Sequence, residues 1–294
     1  MTESAGLRSG KGHRDENFPV ASLLIRPRFR APILAFYEFV RVADDIADHP
    51  SLGREEKLAR LDRLEASLIG ERNEEPQGVA LCEILRARGL SPQHARDLLI
   101  AFRQDVTKLR YQDWDDLIGY CTYSAMPVGR FVLDVHGEAK STWPASDALC
   151  AALQIINHLQ DCAKDYRDLD RVYLPQDALL RHGTKVEALN EPRASTALIS
   201  CIRELTARTG ILLSESAPLP SLVRDRRLAM EISAIERLAV RLVGFLQARD
   251  PLSEKVHLTK SQALMTGAGA AIAEFMRRLG RRPSNADRPQ AHEY

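Results

Sequence analysis

Gln154-Ile155-Ile156-Asn157-His158-Leu159-Gln160-Asp161-Cys162-Ala163-Lys164-Asp165-Tyr166-Arg167-Asp168 is the stretch on which the reading of this chain turns. Residues three or four apart share one face of a helix. Gln154, Asn157, Asp161, Asp165 and Asp168 keep that spacing and form one polar stripe. Ile155, Ile156, Leu159, Cys162 and Ala163 fill the positions between them. A carboxylate stripe on an otherwise apolar helix is either a solvated face or half of a site. Buried carboxylates are costly unless paired, hydrogen-bonded or metal-bound.

A second stripe lies more than a hundred residues earlier. Tyr37, Arg41, Asp44 and Asp48 share a helical face, flanked by Ile33, Leu34, Phe36, Phe39, Val40, Val42 and Ile46. Each stripe carries two aspartates one turn apart, a rise of about 5.4 Å. Facing each other, the stripes would gather four carboxylates whose repulsion calls for cations. Oxygen ligands without His or Cys suit a hard ion. Mg2+ in particular keeps waters and takes one or two carboxylates plus substrate phosphates. The two stripes together therefore point to Mg2+-bridged binding of a diphosphate.

The rest of the chain reads as helix. Apolar periodicity places helices over 30–49, 54–69, from Ser91-Pro92 through Leu109, 113–136, 146–169, 176–182, 194–214, 221–248 and 259–279. Pro76 and Gly78 read as a connection, and Pro127 as a kink within the 113–136 helix. No period-2 run marks a strand, no long linker divides the chain, and no repeat of 20–50 residues is found. The expectation is a single all-α domain over residues 16–279, with disordered tails at 1–15 and 280–294.

Composition narrows the function classes. The 294 residues are 45% hydrophobic and 28% charged, with a net charge of +1. That balance gives no global attraction to nucleic acid. The first residues lack the apolar core of a secretory signal, and no run of apolar residues is long enough to span a bilayer. The five cysteines are scattered and odd in number, which suits a reducing cytoplasm better than a disulfide framework. The expected location is cytoplasmic, with at most peripheral contact with the inner membrane.

The motifs also resemble a known family. Asp44-Asp45-Ile46-Ala47-Asp48 and Asn157-His158-Leu159-Gln160-Asp161-Cys162-Ala163-Lys164-Asp165 look like the two aspartate motifs of the squalene/phytoene synthases. Tyr120 to Gly129 resembles their intervening aromatic and glycine segment, and Arg171-Val172-Tyr173-Leu174-Pro175 the segment after the second aspartates. The likeness runs from about Asn17 to the last helix. Glu16 to Ser22 and Asn157 to Asp161 look most like the bacterial hopanoid-pathway hydroxysqualene synthases. The resemblance implies an isoprenoid synthase type I fold, a helical bundle around a central cavity.

It also implies roles. Asp44, Asp48, Asp161 and Asp165, with Asp45, would hold Mg2+. Arg41 and Arg171 would contact diphosphate, for which a guanidinium fork is suited. Gln154 and Asn157 would orient metal, water or diphosphate. Tyr37, Tyr120 and Phe18 would line the carbocation end. Many relatives carry Arg where Gln160 stands, immediately before the first aspartate of the second motif. The exchange removes a cation and supplies an amide that can hold water, so Gln160 joins Tyr37 and Tyr120 as a catalytic candidate.

The implied reaction is presqualene diphosphate plus water to hydroxysqualene and diphosphate, without a hydride donor and with coupling to other squalene-pathway enzymes. The alternatives are condensation of two farnesyl diphosphates to presqualene diphosphate or squalene, and a non-catalytic scaffold on the same fold. Several residues stay open at this level. Arg41 could pair with Glu38 or Asp44 instead of diphosphate. Tyr37 and Tyr120 could be ordinary core aromatics. Asp105 could be a further cavity carboxylate or a surface group. Ser124, Ala125 and Gly129 could make room for prenyl chains or allow close helix packing.

Overall fold

The first long helix, α1 (Pro27–Ala47), starts on a proline at its first turn, where the missing N–H costs nothing. It then takes Pro32 into its interior. Proline at that position deprives the carbonyl of Arg28 of its helical donor. Arg88 replaces it, donating from Nη2 to Arg28 O at 2.7 Å. The structure, a computed structural model, describes residues 24–280. Phe18, Glu16 to Ser22 and the proposed tails lie outside them, except Gly280, which ends the last helix.

α1 is followed by α2 (Arg54–Ile69), α3 (Pro76–Arg88), α4 (Gln93–Thr107), α5 (Trp114–Ser124), α6 (Met126–His136), α7 (Trp143–Gln160) and α8 (Cys162–Leu169). Then come α9 (Gln176–Arg181), α10 (Thr196–Ser216), α11 (Leu219–Leu222), α12 (Arg226–Ala248) and α13 (Lys260–Gly280). Among the described residues no strand forms; one isolated bridge joins Arg110 to Val172. The all-α expectation is borne out.

Three local readings are corrected. Pro76 opens α3 instead of closing a connection, because proline is preorganised for a first helical turn. Gly78 then lets α3 press on α2: a Cβ there would lie 2.8 Å from Ser67 Cβ and 2.9 Å from Leu64 O. The 113–136 segment is two helices, not one kinked helix. Ala125, with φ −128° and ψ −47°, separates α5 from α6, and Pro127 lies in the first turn of α6. The 146–169 segment is likewise divided at Asp161, whose φ −101° and ψ 8° fall in the bridge region. Asp161 N still donates to Asn157 O at 2.9 Å and Asp165 N to Asp161 O at 2.8 Å. The stripe therefore keeps its direction across the break.

Apolar residues gather in two cores. One holds Phe36 and Phe39 of α1 with Leu61, Leu64, Leu81, Leu98 and Leu99 of α2 to α4. The other surrounds α7, with Ile155 and Ile156 against Cys201, Ile202 and Leu205 of α10 and Ala239 and Leu242 of α12. α6 contributes Phe131 to the first core and Leu133 to the second. A cavity of about 590 Å3 lies between them.

Candidate active site

Both stripes line this one cavity. Tyr37, Arg41, Asp44 and Asp48 enter from α1 and its C-terminal end. Gln154, Asn157, His158, Asp161 and Asp165 enter from α7 and α8. α1 stops where the site needs it to: Lys57 Nζ donates to the carbonyl of Ala47 at 2.8 Å, beside Asp48. Away from the carboxylates the wall is mostly apolar, with Glu231, Ser124 and Ser146 as polar exceptions. It includes Phe36, Val40, Leu149 and Leu153, and Leu219, Leu228 and Ile232 from α11 and α12. Phe36 stacks on Phe131 with ring centres 3.9 Å apart.

Asp44 carries its charge at a cost. Asp44 has its pKa pushed up to about 7, first by burial and then by the neighbouring Asp48, with Arg41 opposing. Its side chain is 39% exposed, facing the cavity. Arg41 donates from Nη1 to Asp44 Oδ2 at 2.8 Å and from Nη2 to Asp45 Oδ1 at 3.2 Å. The open reading of Arg41 thus resolves into both: it lines the cavity and pairs within its own helix.

A deeper layer ties the two halves together. Arg171 is buried and donates from Nη2 to Asp48 Oδ1 at 3.0 Å and to the carbonyl of Asp105 at 3.1 Å. Asp105 is buried on α4 and lines the cavity, which settles the choice left open by its sequence. Tyr120 OH donates to Asp105 Oδ2 at 3.0 Å, and Tyr173 OH donates to Oδ1 at 3.3 Å. Burial raises the Asp105 pKa to about 6, against the lowering pull of Arg171 and the Tyr120 hydroxyl. His158 stacks on Tyr173 with ring centres 3.4 Å apart, and burial lowers its pKa. Gln154 Nε2 and His158 Nε2 are 3.1 Å apart.

Two expected site residues are placed elsewhere. Gln160 does not line the cavity; its buried amide donates to the carbonyl of Val256, between α12 and α13. Gln160 lies three residues from Asn157 and seven from Leu153, so helical period alone would put it on the lining face; it is the contact of its side chain with Val256 that takes it out. Asp45, about 100° round the helix from Asp44, is likewise off the cavity wall and against Arg41. Gly129 does both things left open for it. It lines the cavity, and a Cβ there would meet Ser146 Oγ at 2.4 Å and Cys150 Sγ at 2.6 Å.

Tyr173 and His158 were not singled out as site residues by sequence, and Asp105 was left open. For Asp105 a signal was present: it continues the buried series His94, Leu98 and Ala101 of α4 at helical spacing.

The squalene/phytoene synthase family model matches residues 12–262. The chain belongs to the squalene/phytoene synthase family. A hydroxysqualene synthase of Rhodopseudomonas palustris is 56% identical over 292 residues, 99% of this chain and 100% of that protein. One of Zymomonas mobilis is 48% identical, covering 89% of each. Among solved structures, a squalene synthase of Alicyclobacillus acidocaldarius superposes with a TM-score of 0.68 at 32% identity, covering 76% of this chain and 85% of that one. A dehydrosqualene synthase gives a TM-score of 0.75 at 20% identity over 87% of this chain and 89% of that one, a likeness of fold. The bundle of this squalene/phytoene synthase family member is thus the isoprenoid synthase type I fold expected from its aspartate motifs.

Proposed function

We infer that the protein converts presqualene diphosphate and water into hydroxysqualene and diphosphate. The reading rests on the convergence of Asp44 and Asp48 with Asp161 and Asp165 on one cavity that also carries a large apolar wall, Phe36, Leu149, Leu153, Leu228 and Ile232 among it. The similarity to hydroxysqualene synthases over nearly the whole chain selects the reaction within the family.

The donor set fits Mg2+. Among the described residues no three His, Cys, Asp or Glu side chains already form a metal-holding group. The four aspartates that line the cavity offer oxygen donors, which suit an ion that keeps waters and completes its shell with substrate phosphates. The raised pKa of Asp44, caused first by burial and then by Asp48, supports this: its charged form is disfavoured where it stands and would gain from a cation. Asp44, Asp48, Asp161 and Asp165 would hold the ions, which when bound supply Lewis-acid stabilisation of the departing diphosphate.

The chain's own groups do the rest. Arg41 adds a guanidinium at the diphosphate end. Arg171 fixes Asp48 from beneath. The apolar wall excludes water from the carbocation, and the faces of Tyr37 and Tyr120 stabilise a nearby cation by about 0.5–2 kcal/mol each. Gln154 and Asn157 line the cavity beside the carboxylates and are placed to orient water or phosphate. Capture of the cation by water releases a proton. Asp105 can take it at Oδ2 through the Tyr120 hydroxyl, which already donates to that oxygen.

The test is a purified-protein assay with Mg2+ and presqualene diphosphate, without a reduced nicotinamide. An alcohol of hydroxysqualene mass is expected, and chelation of Mg2+ should abolish its formation. Turnover of farnesyl diphosphate as sole substrate would instead make the protein a condensing enzyme.

A further inference from the structure

α13 packs on α12, and its outward face is apolar. Leu264, Met265, Ile272, Phe275, Met276 and Leu279 are all exposed, from 43% to 75%. From Ser261 to Met276 the helix contains one charged residue, Glu274, and that one is buried. The positions between the large side chains on this face are Ala268, Gly269 and Ala273. Among the described residues nothing covers them. A continuous apolar face of this kind marks an interaction surface.

The C-terminal end of the face is ringed by arginines. Arg277 and Arg278 close α13, both paired with the buried Glu274, while Arg226 and Arg227 at the start of α12 are exposed. Phe275 and Leu279 share a small surface hollow with Arg226 and Arg278. Two more arginines, 281 and 282, follow in the sequence. An apolar helix face with a basic end is the pattern of a helix that lies in a bilayer interface, drawn there by anionic headgroups. A second copy of this face would bring the same cations and no exposed carboxylate of α13 to meet them.

The face also adjoins the apolar wall of the cavity. Leu219 of α11 lines that wall, while Leu222, three residues on, is 46% exposed. Arg278 of α13 donates to the carbonyl of Val223 at 2.7 Å and to that of Pro220. α11 therefore spans from the cavity to the basic end of α13.

We propose that the outward face of α13, with Arg226 and Arg227, is a docking surface for an anionic lipid bilayer. Lipid docking on this side places the apolar wall of the cavity beside the membrane. The binding requires no turnover, so it can be tested apart from the reaction proposed above.

The full chain is to be sedimented with phosphatidylglycerol–phosphatidylcholine vesicles and with vesicles of phosphatidylcholine alone. Wild-type protein should pellet with the anionic vesicles, less so at high salt. Ile272→Glu/Met276→Glu should lower the partition coefficient at least about tenfold, since two exposed apolar contacts are lost. Arg226→Glu/Arg227→Glu, on a different helix, should abolish the preference for anionic lipid. Both variants should keep wild-type turnover of detergent-dispersed substrate. Wild-type protein remaining in the supernatant with anionic vesicles would overturn the proposal. So would a lipid-free dimer in sedimentation equilibrium that Ile272→Glu/Met276→Glu converts to monomer.

Discussion

Replacing Asp105 by Asn should stabilise the protein while disabling it. Asp105 is buried, and its carboxyl has a pKa near 6 against an ordinary 3.8. The folded state therefore binds this proton more tightly than the unfolded chain. Stability must fall as pH rises from about 4 to about 6, and above that range the full penalty is present. The shift of roughly two units corresponds to about 3 kcal/mol at 1.36 kcal/mol per unit. Arg171 is already included, since its attraction is one of the effects that hold the value down to 6. Asn keeps the shape and one oxygen acceptor for the Tyr120 or Tyr173 hydroxyl. Its amide must find a new partner, which takes back about 1 kcal/mol. The expected gain for Asp105→Asn is thus about 1–3 kcal/mol at pH 7.5, shrinking towards zero at pH 4. The measurement is urea unfolding of both proteins in EDTA at the two pH values, so that no bound cation offsets the carboxylate repulsion. Alongside, kcat should fall on the order of a hundredfold or more as the proton acceptor is lost. A variant less stable than wild type at pH 7.5, or a gain that does not change with pH, would refute the account of Asp105 as an ionised carboxylate held at a cost.

Other expectations address single features. Asp161→Ala should lower kcat on the order of a hundredfold or more, as loss of a main electrostatic stabiliser does; a near-wild-type rate in a Mg2+ titration would remove it from the site. Gly129→Ala should lose about 1–3 kcal/mol in chemical unfolding, because its Cβ would collide with Ser146 and Cys150; unchanged stability would show that α6 and α7 can separate freely. Gln160→Ala should lose about 1–3 kcal/mol by stranding the buried carbonyl of Val256, with the same alcohol as product. An altered product mixture at wild-type stability would return Gln160 to the cavity.

The two aspartate pairs were readable because a helix repeats every 3.6 residues, so residue spacing alone assigns side chains to a shared face. The same rule held through Asp161, where the backbone leaves the helical region but keeps its hydrogen bonds on either side. Gln160 was chosen from its place in a family motif instead, and the structure directs its amide to Val256 rather than into the cavity. Pro76 and Pro127 show a related limit. Proline announces an irregularity, but whether it ends a helix, kinks it or begins the next depends on which neighbours satisfy the freed carbonyls.

By itself, the sequence determined the helical class, the two carboxylate stripes and the oxygen-only donor set that suits a hard cation and a diphosphate. These are local properties, set by residue type and helical period. Only the tertiary structure decided that the stripes meet across one cavity. It alone placed Asp105 beneath them, and linked Arg171 to Asp48 across 123 residues of chain. Such contacts depend on how helices far apart in sequence pack against one another. The burial that results pushes Asp44 to about 7 and Asp105 to about 6, and it belongs to the assembled bundle rather than to any one of its helices.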